Sequence, residues 1–99
     1  MPTTNTLNWN KNPEPDLAGY NIYRRIGSAP VPGDVKINAV LVPGALAAPT
    51  YVDTVSVDGT YFYAVTAVDT AGNESAFSTS VNKAVNTVPP SAPTGLAVV

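Results

Sequence analysis

The chain contains no cysteine and no histidine among its 99 residues. The absence of cysteine excludes thiol nucleophiles, thiolate metal ligands and disulfide frameworks. The absence of histidine removes the commonest general base and the commonest metal-binding side chain. We therefore expect no catalytic triad, no zinc site, no other metal and no cofactor. The cellular compartment stays open on this evidence, because exported domains can be stable without disulfides and cytosolic domains need none.

Charge is also scarce, since charged residues make up 12% of the chain and the net charge is −2. The five basic residues are scattered along the sequence: Lys11, Arg24, Arg25, Lys36 and Lys83. Nucleic-acid binding and electrostatic membrane binding both need clustered cations. Neither a nucleic-acid partner nor a membrane partner is expected.

Long apolar runs are missing as well. No stretch approaches the ~20 apolar residues of a membrane-spanning helix, and the N-terminus lacks a basic then apolar signal pattern. If the parent protein is exported, we expect the signal to lie outside this chain. Hydrophobic residues make up 44% of the sequence, which is enough for one small domain with a single core.

The strongest strand signal lies in residues 60–75, which read TYFYAVTAVDTAGNES. Alternate residues form two faces, with Tyr61, Tyr63, Val65 and Ala67 on one and Phe62, Ala64, Thr66 and Val68 on the other. Aromatic and β-branched residues occupy both faces, which is typical of a strand that is covered on both sides. Residues 69–73 then predict a loop, because they tolerate positive φ or bond their own backbone.

Further strands are predicted at residues 5–10, 19–26, 35–42 and 76–85, with a short strand that begins near Tyr51 and Asp53. Prolines at positions 13 and 15 make residues 12–18 a loop, because proline denies a donor to the sheet. The alternation does not settle whether Tyr51 or Val52 faces inward.

Taken together, the tyrosine-rich strand, the following AVD and AGNES, and the earlier LNW and DLAGYNIYRR resemble a bacterial fibronectin type III domain. The resemblance covers residues 6–85 and rests on Leu7, Trp9, Tyr20, Ile22, Tyr61, Val65 and Ala67 at the spacings of that family. It implies an all-β, immunoglobulin-like sandwich of two antiparallel sheets with seven strands. Such a domain is usually a spacer or binding module in a larger secreted or surface protein.

The predicted core residues are Leu7, Trp9, Tyr20, Ile22, Tyr61, Tyr63, Val65, Ala67 and Val81. Trp9 shares a face with Leu7 and is therefore interpreted as a core residue; an exposed ring that stacks on a sugar is the alternative. Tyr61 stands where such sandwiches carry a tyrosine corner, in which the phenol bonds the backbone a few residues upstream.

A candidate binding surface comprises Tyr23, Arg25, Asp69, Asn73 and Glu74. Asn21, Tyr23 and Arg25 are predicted to face outward from the strand at residues 19–26, and Tyr and Arg are enriched at interface hot spots. In the alternative interpretation, Tyr23 packs along the stems of its neighbours on a solvated face. The loop at residues 69–75 is added because loops held by rigid strands often carry binding residues.

Three other polar patterns are weaker. Glu14 and Asp16 could form a catalytic carboxylate pair, but such a pair needs a cleft and shifted pKa values, and we interpret both as solvated loop charges. Asn73-Glu74-Ser75 fits the N-glycosylation pattern, but a match of three residues often occurs by chance. Asp69 with Glu74 could hold calcium only with several more oxygen ligands. No catalytic residue and no metal ligand is predicted.

The predicted organisation is a domain at residues 1–85 that lacks its own first strand, a proline-rich linker at 86–92, and the start of a following domain's first strand at 93–99. The last segment, PTGLAVV, resembles the opening strand of another type III domain. We expect the strand formed by Leu96, Ala97, Val98 and Val99 to add beside Leu7 and Trp9, within one molecule or by exchange between neighbours.

The expected function is a non-catalytic structural spacer in a larger secreted or surface bacterial protein, for example a carbohydrate-active enzyme, with neighbouring domains of the same polypeptide as its partners. The alternative is an adhesion or ligand-binding module that uses inter-strand loops or the Tyr23 face. An exposed aromatic row or a basic cluster would favour binding, and an evenly polar surface would favour the spacer. An enzyme is not expected, because no nucleophile and base stand in a plausible combination.

Overall fold

A computed structural model describes residues 3–86 and 92–98. Within them the chain forms six β-strands and no helix. The strands are β1 (Thr3–Asn8), β2 (Leu17–Ile26), β3 (Val42–Pro43), β4 (Thr50–Val55), β5 (Gly59–Asp69) and β6 (Val81–Val85). The predicted all-β class is confirmed.

The strands form two antiparallel sheets, as predicted. One sheet contains β1 and β4, with Thr3 opposite Val55 and Asn8 opposite Thr50. The other sheet has the order β3-β2-β5-β6, and its centre is the long pairing of β2 with β5. Both edges of this larger sheet are short strands, so most of its hydrogen bonding lies in the middle.

Hydrogen bonds between the sheets show which strands face each other. Asp53 of β4 accepts bonds from Arg24 of β2 and from Tyr63 of β5, and Asn5 of β1 donates to Tyr63 of β5. The pair of β1 and β4 therefore lies over β2 and β5, with β1 on the β5 side. The edge of β1 that does not pair with β4 consequently lies on the same side of the molecule as β6.

The first strand begins and the last strand ends at one end of the two sheets. Thr3 is paired with Val55, and Val85 is paired with Gly59. Only residues 56–58 separate Val55 from Gly59 along the chain. The starting point of β1 and the final residue of β6 therefore lie at the end of the molecule where residues 56–58 cross between the sheets.

The core lies between the sheets and is rich in tyrosine. Its buried cluster consists of Tyr20, Ile22, Val42, Val55, Tyr61, Tyr63 and Val85. Four other predicted core residues, Leu7, Trp9, Val65 and Ala67, are partly buried and pack against this cluster. The ring of Trp9 meets that of Tyr20 edge-on, at 5.2 Å between centroids. Each large apolar side chain that is fully buried contributes about 1.5–3 kcal/mol, so this cluster is the main force that holds the layers together.

Val81 is not a core residue, and that prediction is wrong. Val81 pairs with Tyr63, so its side chain is on the inner face of the larger sheet, yet it is 58% exposed. The reason is the width of the facing sheet, whose two strands lie opposite β2 and β5 and leave β6 uncovered. Val85, at the other end of β6, is buried and is the residue of this strand that joins the core.

The predicted strand at residues 35–42 is also wrong, since only Val42–Pro43 pairs as a strand there. The side chain of Asn38 supplies much of the bonding instead. Its Oδ1 accepts from the backbone N–H of Ile22 at 2.8 Å, and its Nδ2 donates to the carbonyl of Val40 at 3.0 Å. The N–H of Ile37 reaches the Ile22 carbonyl at 2.8 Å. A buried amide thus replaces a backbone ladder along β2, which alternation of apolar residues cannot reveal.

The predicted strand at residues 76–85 begins only at Val81. Before it, the hydroxyls of Ser75 and Ser78 accept from the backbone N–H groups of Ala67 and Val65, at 2.9 and 3.0 Å. The N–H groups of the same serines donate to the Ala67 and Val65 carbonyls at 2.8 and 2.9 Å. The segment advances by three residues, from Ser75 to Ser78, while β5 advances by two, from Ala67 to Val65. This mismatch is a β-bulge, and it interrupts the regular strand pattern before Val81.

Three smaller points concern single residues. The hydroxyl of Tyr61 donates to the carbonyl of Val57 at 2.5 Å, four residues upstream, which confirms the predicted tyrosine corner. Tyr51 is the half-buried, core-contacting residue of its strand, whereas Val52 is 54% exposed, so Tyr51 faces inward. Trp9 lies one residue after β1, and its N–H continues the pairing to Pro49 at 3.3 Å.

Residues 92–98 form no strand in the single chain. Leu96 and Val98 are 96% and 99% exposed. The predicted linker at 86–92 falls mostly on residues 87–91, which lie outside the described residues.

Candidate functional site

The predicted binding face of β2 is largely covered, so its assignment as an exposed surface is wrong. Asn21 and Tyr23 are 7% and 8% exposed, and only Arg25 of the three is exposed. The ring of Tyr23 packs against Phe77, with centroids 4.8 Å apart. The segment that follows β5 folds back over this face and covers it, which sequence alternation along β2 alone could not show.

Glu74 is the residue of this covering segment that forms hydrogen bonds with the polar groups of the sheet. Its Oε2 accepts hydrogen bonds from the hydroxyls of Tyr23 and Thr66, and from Nδ2 of Asn21 at 3.4 Å. The bonds from Thr66 and Tyr23 lower the pKa of Glu74, against a weaker opposing effect of burial. Burial raises the pKa of Tyr23, and the bond and charge of Glu74 raise it further. A protonated phenol and an ionised carboxylate are therefore the stable pair near neutral pH.

Asp69 and Asn73 close their own loop instead of presenting groups to a partner. Asp69 Oδ1 accepts from the N–H groups of Ala71 and Asn73 at 2.9 and 2.8 Å, and Oδ2 accepts from Asn73 Nδ2 at 3.1 Å. Gly72 takes a φ of +88°, a conformation that glycine adopts without strain. The bonds from the backbone and side chain of Asn73 lower the pKa of Asp69. The loop is a self-contained turn.

The five predicted surface residues are divided among three separate interactions. Tyr23 and Glu74 are joined by a hydrogen bond, and Asp69 and Asn73 are joined within the adjacent loop. Arg25 shares its strand face with Tyr23, but its Nε lies 3.5 Å from Oδ2 of Asp34, which lines the same cleft as Tyr23 and Glu74.

Two open clefts flank Glu74. One, of about 370 Å³, lies between the loop at residues 11–16 and the loop at 69–75. The other, of about 360 Å³, is lined by Tyr23, Phe77, Pro32 and Asp34 among others. Both are wide grooves on the surface, and four of the five predicted residues line one or both of them: Tyr23, Asp69, Asn73 and Glu74.

Glu14 and Asp16 line the first cleft along with Asp69 and Glu74. Both are exposed, and the carbonyl of Asp16 accepts from the N–H of Thr70 at 2.9 Å, which links the two loops. Over residues 3–86 and 92–98, no group of three or more His, Cys, Asp or Glu side chains is arranged to hold a metal ion. The cleft thus has an acidic rim without the grouped ligands of a metal centre.

A second polar cluster lies between the sheets, and the alternation of residues along the strands does not predict it. Asp53 accepts from Nη1 of Arg24 at 2.9 and 3.0 Å and from the Tyr63 hydroxyl at 2.6 Å. The Tyr63 oxygen accepts from Nδ2 of Asn5 at 2.8 Å. Arg24 also lies over the ring of Tyr61, with its Cζ 5.7 Å from the centroid. We call Asn5, Arg24, Asp53 and Tyr63 the inner cluster; its members come from four strands of the two sheets.

Burial controls the acid–base properties of the inner cluster. It raises the pKa of Tyr63 to about 12, an effect that the Asn5 bond opposes and the Asp53 bond reinforces. Burial acts to lower the pKa of Arg24, but the hydrogen bond and charge of Asp53 outweigh it and the pKa is raised. The signal that could have revealed this cluster is Asp53, which alternates with Tyr51 and Val55 on the inward face of its strand.

No helix among the described residues is long and apolar enough to cross a membrane. Comparison with protein-family models, with curated proteins and with solved structures finds no match to this chain. The function must therefore be inferred from the geometry itself.

Proposed function

We propose that this chain is a non-catalytic spacer module with the architecture of a fibronectin type III sandwich, in a larger secreted or surface bacterial protein. Its partners are the neighbouring domains of the same polypeptide. Support for the architecture comes from the type III residue pattern, the tyrosine corner of Tyr61, and two antiparallel sheets in which β1 pairs with β4 and not with β2.

The proposal rests on one observation, which is that the polar side chains form their bonds with other groups of the same module. The predicted surface residues bond one another or their own loop: Glu74 holds Tyr23, Asp69 holds Asn73, and Arg25 lies beside Asp34. The half-buried charge of Arg24 pairs with the buried charge of Asp53. Side chains committed to internal bonds contribute stability, and they are not free to recognise a ligand.

The remaining surface agrees with a spacer. All eight aromatic residues lie within residues 3–86, and none of them falls in the exposed class. The strongly exposed aliphatic residues of the connection between β2 and β3, Val35 and Val40, lie on a loop. Single apolar side chains at a surface are ordinary and do not mark an interface.

The second candidate function is a ligand-binding module, and the two clefts beside Glu74 favour it. Tyr23 and Phe77 supply tilted rings at one cleft, and carboxylates rim the other. A ring face and a nearby acceptor are groups that can contact a sugar or a peptide.

An NMR titration separates the two functions. The ¹⁵N-labelled chain is titrated with cellohexaose, xylohexaose and chitohexaose up to about 1 mM, where even weak binding is visible. If the chain is a spacer, we expect no saturable chemical-shift changes that cluster on one surface. Saturable shifts confined to residues 12–17 and 73–77, and abolished by Phe77→Ala, would overturn the spacer in favour of binding.

A further inference from the structure

We propose that the free edge of β1 accepts the C-terminal segment of a second copy of this chain as an added β-strand. Repetition of this contact would join the copies head to tail. The proposal rests on the geometry of β1, β6 and residues 92–98, and it goes beyond the spacer role.

The free edge of β1 presents backbone groups for pairing. The N–H of Trp9 donates to Pro49 on the β4 side. Since alternate residues of an antiparallel strand direct their backbone groups to opposite sides, Thr4, Thr6 and Asn8 direct theirs away from β4. Within residues 3–86 and 92–98, β1 pairs with β4 alone. An edge of this kind is a template for strand addition.

The other three sheet edges carry features that discourage such pairing. β3 has only two residues and one is Pro43, β6 contains Lys83, and β4 has the inward-pointing charge of Asp53. Short length, proline, lysine and inward charges are the means by which natural sheets protect their edges. β1, with the sequence TTNTLN, has neither a charge nor a proline.

The space beside β1 lies above the uncovered inner face of β6. β1 lies over β5, so a strand added to its free edge would lie over β6, whose inner face carries Val81, which is 58% exposed, and Lys83, which pairs with Tyr61. A crevice of about 230 Å³ already opens between Trp9 and the β5 side of the module, near Val65 and Ser78. An added strand would cover this surface and extend the smaller sheet to three strands.

Two buried polar atoms on the same stretch of chain lack partners. They are Oδ1 of Asn5 and Nε1 of Trp9. Buried polar atoms are bonded in the great majority of proteins, so these two atoms are exceptions within the part of the chain that the structure describes.

The occupant is identified by its composition and exposure. Residues 96–98 are Leu-Ala-Val, uncharged, with Leu96 and Val98 on one face of an extended chain and almost fully exposed. β1 begins and β6 ends at the same end of the sheets. An added strand antiparallel to β1 must therefore start at the opposite end. A tail that leaves one copy can meet that opposite end on the next copy, which gives an open, end-to-end arrangement.

Sedimentation velocity on the full chain over a concentration series tests the proposal. We expect species larger than a dimer as concentration rises, and an apparent Kd at least about tenfold weaker in the double variant Leu96→Asp with Val98→Asp. Because both residues are almost fully exposed in the single chain, these changes leave the sheets folded. The matched control is Val35→Asp with Val40→Asp, which replaces two valines that are 83% and 79% exposed on a loop and should associate like the parent.

Mixing two blocked variants makes the test directional. Thr6→Pro removes an outward N–H from β1 but keeps the tail, whereas the double aspartate variant keeps β1 but loses the tail. At concentrations where the parent associates and each variant alone is largely monomeric, an equimolar mixture should form a one-to-one dimer. A parent chain that is monomeric at every concentration, or an association that survives the Leu96 and Val98 changes, would overturn the proposal. The tail variant decides the matter even if Thr6→Pro fails to fold.

Discussion

The molecule contains two tyrosine–carboxylate pairs in opposite settings. Tyr63 bonds Asp53 between the sheets, where Arg24 neutralises the carboxylate. Tyr23 bonds Glu74 on the outer face of the larger sheet, beside solvent. The chemistry of the two bonds is the same, and the environment decides what each does. The inner pair joins the two layers of the fold, whereas the outer pair fastens one loop onto one sheet.

The largest expected difference between the pairs comes from Asp53→Ala. Removal of this carboxylate leaves Arg24 and the Tyr63 hydroxyl without their partner in a buried site. Because Arg24 keeps some contact with water, we expect the free energy of unfolding to fall by about 2–4 kcal/mol. Urea denaturation of the parent and the variant measures this loss. A loss below 1 kcal/mol would mean that the inner cluster does not hold the sheets together.

Alkaline pH should weaken the fold through Tyr63. A folded-state pKa of about 12 lies above the ordinary value of 10, so the stabilisation is complete below pH 10 and is lost as pH rises towards 12. The slope for one group reaches about 1.4 kcal/mol per pH unit. Thermal unfolding between pH 8 and 12 measures the effect.

The matched control for this pH dependence is Tyr63→Phe, which removes the titrating group. The slope of this variant should be shallower than that of the parent, and Tyr23, whose pKa is also raised, should contribute to the slope that remains. Equal slopes in the two proteins would remove Tyr63 from the explanation.

Glu74→Gln should have a smaller effect than any change at Asp53. The amide keeps the shape of the side chain but loses the charge that strengthens its bonds to Tyr23 and Thr66. We expect a loss of about 1 kcal/mol. Glu14→Gln, in an exposed loop position, is the control and should stay within about 0.5 kcal/mol of the parent. A Glu74 effect as large as that of Asp53→Ala would erase the distinction between the two pairs.

The smallest expected effect is at acid pH. The pKa of Glu74 is lowered by its hydrogen bonds, so its contribution is present above the unfolded-state pKa of about 4.3 and is lost as pH falls below it. Equilibrium unfolding at pH 7 and at stepwise lower pH should therefore show a weaker decline in Glu74→Gln than in the parent. An unchanged decline would show that the outer pair makes no titratable contribution.

Sequence patterns predicted the strands that carry most of the core, because alternation of large side chains over β2 and β5 is set by burial. They failed where side chains replace backbone bonds: Asn38 stands in for a strand along β2, and Ser75 with Ser78 delays the start of β6. The prediction that Val81 is a core residue failed for a different reason, since its exposure depends on the width of the facing sheet.

The candidate surface was only partly predictable for the same reason. Tyr23 and Glu74 were both selected from the sequence, but their mutual bond covers the face that they were expected to expose. The inner cluster was missed because its members, Asn5, Arg24, Asp53 and Tyr63, are far apart in the sequence and meet only after the sheets stack.

Paired double-mutant cycles test most directly the claim that the inner pair joins the layers and the outer pair fastens a loop. One cycle combines Tyr63→Phe with Asp53→Asn, and the other combines Tyr23→Phe with Glu74→Gln, each measured by urea unfolding. We predict a coupling free energy of about 1.5 kcal/mol or more for the inner pair and about 0.5 kcal/mol or less for the outer pair. Equal couplings, or a larger coupling for Tyr23 and Glu74, would contradict this account.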